Sequence, residues 1–381
     1  MPMRFTTLDY NSMHARARSF AQLLTLAGLL YGFLVGLDMM GLAFKLFGSG
    51  FGEFLIAQTA NPFVGLFVGI LATSLVQSSS TTTSITVGLV AAGALTIEGA
   101  IPIIMGANIG TSVTNTLVSL SHVNRREEFE RAFAGATIHD FFNWLAVLIL
   151  LPLELTTGFL ARLSTAATDG LAEIGGLQLA NPLQAVVRPV AELISSSLLR
   201  SSSVMTLVLG LGLLMLSLRL LVNFLKTAMS ERAEHVLHTT LFRSAPAAIV
   251  AGALMTVMVQ SSSITTSVVV PLVGAGIVTL EQLFPFTIGA NIGTTITALL
   301  AAFSTGVPAA VTVAFAHLFF NVTAGAIIYL PPPLRAVPLA LARGLGRLGA
   351  RNRLLAVGYI VLVFFGIPLL LLFLSGAFSG S

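Results

Sequence analysis

The sequence contains no cysteine, so disulfide bonds, thiolate metal sites and cysteine nucleophiles are all excluded. Charge is also scarce, since charged residues make up 9% of the 381 positions, whereas a soluble domain has roughly 25%. Hydrophobic residues account for 55%, and the mean hydropathy is +0.94. These values indicate an integral membrane protein. The excess of Lys and Arg over acids suggests loops that face anionic lipid, and nucleic acid is not an expected partner.

Several apolar runs are long enough to cross a bilayer core, which takes roughly 20 helical residues. The runs are continuously apolar rather than alternating at period two, which favours helices over a barrel. They cover about 20–47, 100–120, 132–152, 204–226, 283–303, 308–330 and 354–375. The predicted fold class is therefore an all-α, multi-pass membrane protein. Residues 1–19 are expected to form a cytoplasmic tail.

An internal repeat relates the two halves of the chain. Leu75–Thr114 aligns without a gap with Met258–Thr297 at an offset of 183, and 23 of the 40 positions are identical. The shared letters include QSSS and GANIGT, and further along HDFFN at 139–143 pairs with HLFFN at 317–321. Duplicated halves in a polytopic membrane protein are typical of secondary transporters.

The repeat also predicts the topology. Between about 55 and 97 the chain is apolar, but it is broken at Asn61-Pro62 and at QSSS, so each arm is too short to span. Re-entrant hairpins at about 55–97 and 240–278 leave three full crossings in each repeat, so the second copy is inverted. The predicted inner segments then carry 14 Lys and Arg and the outer ones four, the expected positive-inside bias. The predicted parts are a tail at 1–19, a first repeat at 20–152, an extracytoplasmic or interfacial connection at 153–203, a second repeat at 204–330, and a basic loop with a final helix at 331–381.

The two QSSS runs place hydroxyl and amide groups at membrane depth. If the second arms begin near Ser79–Thr81 and Ser262–Ile264, each tip presents a helix N terminus, which favours an anion. The serine hydroxyls add donors, and the carbonyls of Gln77 and Gln260 can turn toward a cation. A single SSS run more often bonds only to its own helix. Because this run is duplicated at both tips, a binding role is the favoured interpretation.

Further polar residues accompany the tips. The GANIGT segments place Asn108, Thr111 and Thr114 on one helix face, and Asn291, Thr294 and Thr297 repeat this face in the second copy. Hard oxygen donors without thiols suit a small cation such as Na⁺. Asp140 is an ionisable residue within a span and is therefore a functional candidate, whereas its counterpart in the other repeat is Leu318.

The duplicated QSSS, the segment GANIGTSVTNT, RAFAGATIHDFFNWLAVLILLPLE at 131–154 and NPLQAVVRP resemble the type II sodium-dependent phosphate cotransporters. The resemblance is to the short bacterial form without a C-terminal PhoU-like domain, and it covers about 20–376. It implies Na⁺-driven uptake of inorganic phosphate by alternating access at the plasma (inner) membrane, often by a homodimer. It implies no enzyme activity and no organic cofactor.

The residue patterns and the resemblance together predict two sets of ligands. The expected phosphate ligands are Ser78, Ser79, Ser80, Ser261, Ser262, Asn108 and Asn291. The expected Na⁺ ligands are Gln77, Gln260, Ser261, Thr111, Thr114, Thr294, Thr297, Asp140 and Asn143. In animal members of this family, the acid at the place of Asp140 accompanies electrogenic transport.

The sequence departs from the family pattern at three places and leaves two alternative functions open. His122, Arg125 and Ala290 stand where animal members carry Gln, Asp and Ser. A passive anion channel would use the same helix N termini for phosphate. A proton-coupled transporter is disfavoured because the predicted core holds few titratable acids.

Overall fold

The computed structural model describes residues 7–173, 181–228, 242 and 244–375, and the regular structure in these residues is helical. The first half begins with a long helix, continues with several short ones and ends with a second long helix and a shorter one. These are α1 (Thr7–Phe47), α2 (Ser49–Thr59), α3 (Pro62–Val76), α4 (Ser79–Ala91), α5 (Ile97–Gly110), α6 (Val113–Ser119), α7 (Arg126–Thr157) and α8 (Phe159–Glu173).

The second half follows a similar order after a connecting helix. Its elements are α9 (Asn181–Leu193), α10 (Ser203–Ala228), α11 (Ala245–Val259), α12 (Ser262–Gly274), α13 (Leu280–Thr305), α14 (Pro308–Tyr329), α15 (Pro332–Arg351), α16 (Arg353–Val361) and α17 (Ile367–Leu374). A π-helical segment, Leu362–Gly366, joins α16 to α17, so the two form one continuous span.

The predicted multi-pass architecture is confirmed. Among the described residues, seven helices are long and apolar enough to cross a membrane. They are Phe20–Phe47, Ile97–His122, Arg126–Thr157, Ser203–Leu221, Leu280–Thr305, Pro308–Tyr329 and Arg353–Leu374. Each coincides with one of the predicted runs. Within the predicted tail, residues 7–19 continue α1 as helix and residues 1–6 lie outside the described residues. The cytoplasmic position of the tail stays a prediction.

The predicted breaks also appear where the sequence placed them. Helices α3 and α11 have 15 residues each, and α4 and α12 have 13. At about 1.5 Å per residue these arms fall short of a hydrocarbon core of about 30 Å. The Asn61 side chain caps α3 by accepting from the Phe63 N–H at 3.0 Å. The second arms begin at Ser79 and Ser262, as predicted.

Glycines bring the first arm of each short pair into contact with the following helix. A Cβ on Gly106 of α5 would overlap the carbonyl oxygen of Leu66 on α3, and a Cβ on Gly289 of α13 would overlap that of Ile249 on α11. Both pairs obey the offset of 183, so the duplicated sequence builds the same backbone packing twice. Small residues allow such close approach in membrane helices.

The second arm of each pair packs into the other half of the molecule. Helix α4 lies against α13, while α12 lies against α6 and α7. The end of α4 shares a cavity of about 100 Å³ with Lys45 at the end of α1 and Val307 after α13. The end of α12 lies instead near the start of α7, because the Arg131 Nε–H donates to the Gly274 carbonyl at 2.8 Å.

The structure adds two details to the sequence interpretation. Helix α7 begins at Arg126 and places Asp140 near its middle, within the predicted span. The GANIGT segment breaks only in the first copy, where α5 ends at Gly110 and α6 begins at Val113. In the second copy α13 runs without interruption from Leu280 to Thr305.

Candidate functional site

The QSSS runs build the same turn twice. Gln77 ends α3 and Gln260 ends α11, and both adopt a left-handed backbone with φ of 56°. Ser78 and Ser261 follow in extended conformation, with φ of −151° and −156°, and cap α4 and α12. A left-handed non-glycine residue costs about 1–2 kcal/mol. Its occurrence at both tips indicates that the surrounding contacts hold this geometry.

Each capping serine keeps its own proton available. The Ser78 hydroxyl oxygen accepts from the Thr81 N–H at 3.2 Å and from the Thr81 hydroxyl at 2.9 Å. The Ser261 hydroxyl oxygen accepts from the Ile264 N–H at 3.4 Å. Because these bonds use the oxygen lone pairs, each hydroxyl proton remains free to donate. The first N–H groups of α4 and α12 have no helical partner either, so both tips present donors to an anion.

The two tips approach each other inside the protein. The Ser80 hydroxyl donates to the Gln260 carbonyl at 3.3 Å. The Ser263 hydroxyl donates to the Thr111 carbonyl, also at 3.3 Å. Segments separated by about half the chain are therefore joined at one place.

A cavity of about 560 Å³ lies between the tips. The described residues that line it belong to both tips, to α6 and to α10, and Arg219 is the only charged residue among them. They are Val76, Gln77, Ser78, Thr81, Thr114, Met215, Leu216, Leu218, Arg219, Gln260, Ser261, Ser263 and Ile264. The cavity combines uncharged donors from two helix starts with one positive charge, a composition that favours an anion.

Two of the predicted Na⁺ ligands of the second copy, Gln260 and Thr297, are in direct contact. The Thr297 hydroxyl donates to Gln260 Oε1 at 2.6 Å, and Gln260 Nε2 donates to the Val257 carbonyl at 2.6 Å. The Thr294 hydroxyl donates to the carbonyl of Ala290 on its own helix at 3.0 Å.

The corresponding residues of the first copy are arranged differently. The Gln77 side chain is exposed at the cavity. The buried Thr114 Oγ1 has no hydrogen-bond partner in the described residues. The Thr111 hydroxyl donates to the Ala107 carbonyl at 2.9 Å. The glutamine and threonine that are bonded in the second copy are therefore separate in the first.

A second network shows the same asymmetry. His139 and the Asn291 side chain lie 2.6 Å apart, Asn291 Nδ2 donates to Asn143 Oδ1 at 2.8 Å, and Asn143 Nδ2 donates to the Asn108 carbonyl at 2.7 Å. His317 and Asn321, the counterparts of His139 and Asn143 in the second copy, do not form such a network within the described part of the chain. Both ring nitrogens of the buried His317, and Asn321 Oδ1, have no hydrogen-bond partner in the described residues.

Asp140 is fully buried and only partly satisfied. The Tyr359 hydroxyl donates to Asp140 Oδ2 at 2.9 Å. Asp140 Oδ1 has no hydrogen-bond donor in the described part of the chain. The Ser112 hydroxyl lies near the carboxylate and also bonds to the Ile109 carbonyl at 2.7 Å. A buried carboxylate oxygen without a donor, beside a hydroxyl oxygen, is a natural place for a cation.

Other predicted residues lie outside the cavity lining. Ser79, Ser80 and Ser262 are buried at the first turns of α4 and α12. Asn108 and Asn291 belong to the asparagine–histidine network, and Asn108 Nδ2 donates to the Ile104 carbonyl at 2.9 Å. Their proposed roles as ligands remain predictions.

His122 and Arg125, which depart from the family pattern, are also remote from Asp140. Both pair with Glu128, Arg125 at 2.9 Å and His122 at 3.5 Å. Arg125 immediately precedes α7 and lies 15 residues before Asp140, or about 22 Å at the helical rise.

Sequence reasoning missed three residues of this region. Arg219 carried a signal, since it is an arginine within an apolar run, but no motif connected it with the tips. Tyr359 and Ser112 carried none, because a tyrosine in the last span and a serine in a polar motif are common. Their contacts with Asp140 depend on how distant helices pack.

The fold and site define a polytopic α-helical membrane protein with a polar cavity between two broken helices. The chain belongs to the Na⁺/Pi-cotransporter family, whose model matches residues 33–141 and 213–329. It is 35% identical to sodium-dependent phosphate transport protein 2B of Homo sapiens over 454 aligned positions, which cover 94% of this chain and 66% of the relative. It is 36% identical to protein 2A of Rattus norvegicus, over 92% of this chain and 67% of the relative. The chain thus spans about two thirds of the length of these relatives, and no solved structure matches it significantly.

Proposed function

We propose that this protein is a secondary active transporter that couples inward movement of Na⁺ to uptake of inorganic phosphate across the plasma membrane. The observation that carries the proposal is the pair of serine-capped helix starts, Ser78 and Ser261, on one cavity. The names of the relatives, sodium-dependent phosphate transport proteins, support the same substrates.

Phosphate would bind between the two tips. The hydroxyl protons of Ser78 and Ser261 and the free N–H groups of α4 and α12 would donate to its oxygens. The Arg219 guanidinium would raise the local concentration of anions in the cavity. Uncharged donors suit a substrate that must be released, because full charge pairing at this depth would hold it too strongly.

Na⁺ would bind to neutral oxygens beside each tip and to Asp140. In the second copy these oxygens would come from Gln260 and Thr297, which are hydrogen-bonded to each other, and from Thr294, three residues before Thr297 on α13. At Asp140 the unsatisfied Oδ1 and the Ser112 oxygen would be the direct ligands, while Tyr359 holds the other carboxylate oxygen. Bound Na⁺ would raise the affinity of the site for phosphate, and bound phosphate would raise the affinity for Na⁺ by the same factor.

We also propose an inverted arrangement with two re-entrant hairpins, α3–α4 and α11–α12. Two observations support it. Helix α4 ends beside the C-terminal ends of α1 and α13, whereas α12 ends beside the start of α7. The arms are too short to cross, so each pair returns to the face from which it came.

The inverted arrangement predicts that matched loop residues face opposite sides of the membrane. Ala92 follows α4 and Ala275 follows α12, and a cysteine can be placed at either position in this cysteine-free chain. In sealed right-side-out cells, an impermeant thiol reagent should label Ala92→Cys and should label Ala275→Cys only after permeabilisation. Equal labelling of both before permeabilisation would contradict the inversion.

The asymmetry between the copies supports alternating access. In an inverted repeat, the two copies exchange conformations when the site changes sides. The bonded pair Gln260–Thr297 and the separated pair Gln77–Thr114 would exchange in the opposite state, as would the two asparagine–histidine networks. With the N terminus inside, Arg219 would lie toward the inner end of α10, and the cavity of about 560 Å³ would then open inward.

Two threonine variants should therefore shift the equilibrium in opposite directions. Thr297→Val removes a hydrogen bond of the inward-open state, and Thr114→Val removes the bond expected in the outward-open state. A net hydrogen bond contributes about 0.5–1.5 kcal/mol, or roughly a two- to twelvefold shift. The measurement is the labelling rate of a cavity cysteine, Leu216→Cys, in inside-out vesicles. It should fall with Thr297→Val and rise with Thr114→Val.

The control for this experiment is Thr165→Val, because the exposed Thr165 hydroxyl bonds only to the Ala161 carbonyl of its own helix. Its labelling rate should match that of the parent protein. Shifts of the same sign in Thr297→Val and Thr114→Val would refute an exchange between the two pairs.

Asp140 should determine the response to voltage. A dianionic phosphate with two Na⁺ is electroneutral, so a third cation at Asp140 would add one net charge. Moving that charge is worth about 2.3 kcal/mol per 100 mV. Wild-type uptake should respond to a K⁺/valinomycin potential, whereas Asp140→Gly and Asp140→Asn should retain Na⁺-dependent uptake, lose the voltage response and show a lower Na⁺ Hill coefficient.

The Asn variant keeps the shape of the side chain and an acceptor for Tyr359, so it separates loss of charge from loss of packing. Asp169→Asn, at an exposed position on α8, is the control. An unchanged voltage response in both Asp140 variants would show that this carboxylate is structural.

The substrate assignment is tested by uptake of radiolabelled phosphate into proteoliposomes. A Na⁺ gradient should drive uptake, and K⁺ or H⁺ gradients of equal size should not. Arsenate, an oxyanion of matching shape and charge, should compete better than sulfate. Equal flux with K⁺ would support the passive anion channel instead, and flux driven by H⁺ alone would support proton coupling.

A further inference from the structure

A second cationic cleft lies at one end of the helix assembly, away from the cavity between the tips. It has a volume of about 520 Å³ and is lined by Arg126, Ala350, Arg351, Asn352, Arg353 and Leu354. The arginines come from two distant segments, the start of α7 and the junction of α15 with α16. All three of these side chains are exposed.

The charge of this cleft is not neutralised by its surroundings. The described residues that line it include three arginines and no acid. The nearby Glu128 is already engaged by Arg125 at 2.9 Å and by His122 at 3.5 Å. No ion pair joins Arg126, Arg351 or Arg353 to an acid within the described residues. The cleft therefore carries positive charge that no ion pair offsets within the described residues, and it can bind an anion.

An apolar surface continues directly from the cleft. Arg353 begins the last span, and 22% of the most apolar 18-residue stretch of that span is buried within the protein. Leu354, Leu355 and Val357 are 78%, 49% and 45% exposed, and Val361 and Leu362 extend this surface along the helix. Because the cleft lies where a spanning helix begins, it is at the level of lipid headgroups, with the apolar surface at the level of acyl chains.

We propose that this cleft binds the headgroup of an anionic phospholipid, with its acyl chains along the Leu354 face. The arginine guanidinium groups match phosphate oxygens in geometry and charge. Basic pockets beside membrane helices recognise anionic headgroups in this way. Free phosphate shares the anionic group but has no use for the adjoining apolar surface, so the lipid is the ligand that fits both parts.

The test measures retention of phosphatidylglycerol by the purified full-length protein, by native mass spectrometry from mixed micelles with phosphatidylcholine. Wild type should retain phosphatidylglycerol in preference to phosphatidylcholine. Arg351→Gln/Arg353→Gln should reduce that retention at least about tenfold, as expected for two lost charge-assisted hydrogen bonds. Arg126→Gln should reduce it as well, because the cleft is built from both segments.

The matched control is Arg335→Gln/Arg347→Gln, which removes two arginines of α15 outside the cleft. It should retain the lipid like wild type, and size-exclusion profiles should show that every variant is folded. Equal loss in the control would mean general charge attraction and would overturn the site. Displacement of the lipid by millimolar inorganic phosphate would assign the cleft to the free anion and would equally overturn the proposal.

Discussion

Replacement of both Ser78 and Ser261 by alanine is expected to lower kcat/KM for phosphate uptake at least about thirtyfold. Each substitution removes a hydroxyl group from a residue that lines the cavity, and each lost donor costs about 1–3 kcal/mol of binding free energy. Because the serines come from opposite tips and the proposed ligand contacts both, the two losses should add in the double variant. The measurement is the initial rate of phosphate uptake at saturating Na⁺.

Loss of a helix cap could by itself disturb the tips, since a Ser→Ala cap change costs about 1 kcal/mol. Ser244→Ala controls for this, because Ser244 caps α11 outside the cavity and accepts from the Ala247 N–H at 3.4 Å. It should leave uptake nearly unchanged. The variants Ser78→Thr and Ser261→Thr keep both hydroxyl and cap and should retain uptake within about threefold of wild type. Wild-type kcat/KM in the double alanine variant would remove these serines from the site.

Gly289→Val is expected to prevent correct assembly of the second half. A Cβ at this position would overlap the Ile249 carbonyl, so α11 and α13 would have to separate. Overpacking typically lowers the free energy of unfolding by about 1–3 kcal/mol. Because the clash here is with backbone rather than with a mobile side chain, we expect a loss of about 3 kcal/mol or more. The expected result is loss of the monodisperse peak in fluorescence-detected size-exclusion chromatography.

Gly212→Val provides the matched control. Gly212 also lies within a spanning helix, but a Cβ there would meet nothing within 4 Å. Its expression and elution should equal those of wild type. A normal peak for Gly289→Val would show that the two helices are not in backbone contact. Gly106→Val, at the matched position of the first copy, should behave like Gly289→Val.

Much of the fold could be predicted from local sequence signals. The seven spans follow from apolar runs of sufficient length, and no tertiary information is needed to find them. The break at Asn61 and Pro62 was visible because an asparagine cap before proline begins a helix. The sequence analysis placed the starts of α4 and α12 near Ser79 and Ser262, and the structure shows that Ser78 and Ser261 cap them.

The details of the site depend on packing between distant segments and were less accessible. The repeat indicated that both tips matter, and both do line one cavity. It could not indicate that the Gln260–Thr297 bond is formed while Gln77 and Thr114 are apart, because two identical sequences do not reveal which conformation each copy adopts. Likewise, the contact of Tyr359 with Asp140 joins residues 219 positions apart, and no motif records it.

The central claim is that the inward Na⁺ gradient drives phosphate uptake and that phosphate binds between the two tips. The most direct measurement is phosphate accumulation in proteoliposomes that begin with equal phosphate on both sides and a tenfold inward Na⁺ gradient. The account predicts that internal phosphate rises above the external concentration, that a Na⁺ ionophore abolishes the rise, and that Ser78→Ala/Ser261→Ala never shows it. Internal phosphate that stays equal to external phosphate, despite rapid exchange of label, would contradict the account and indicate a passive pathway.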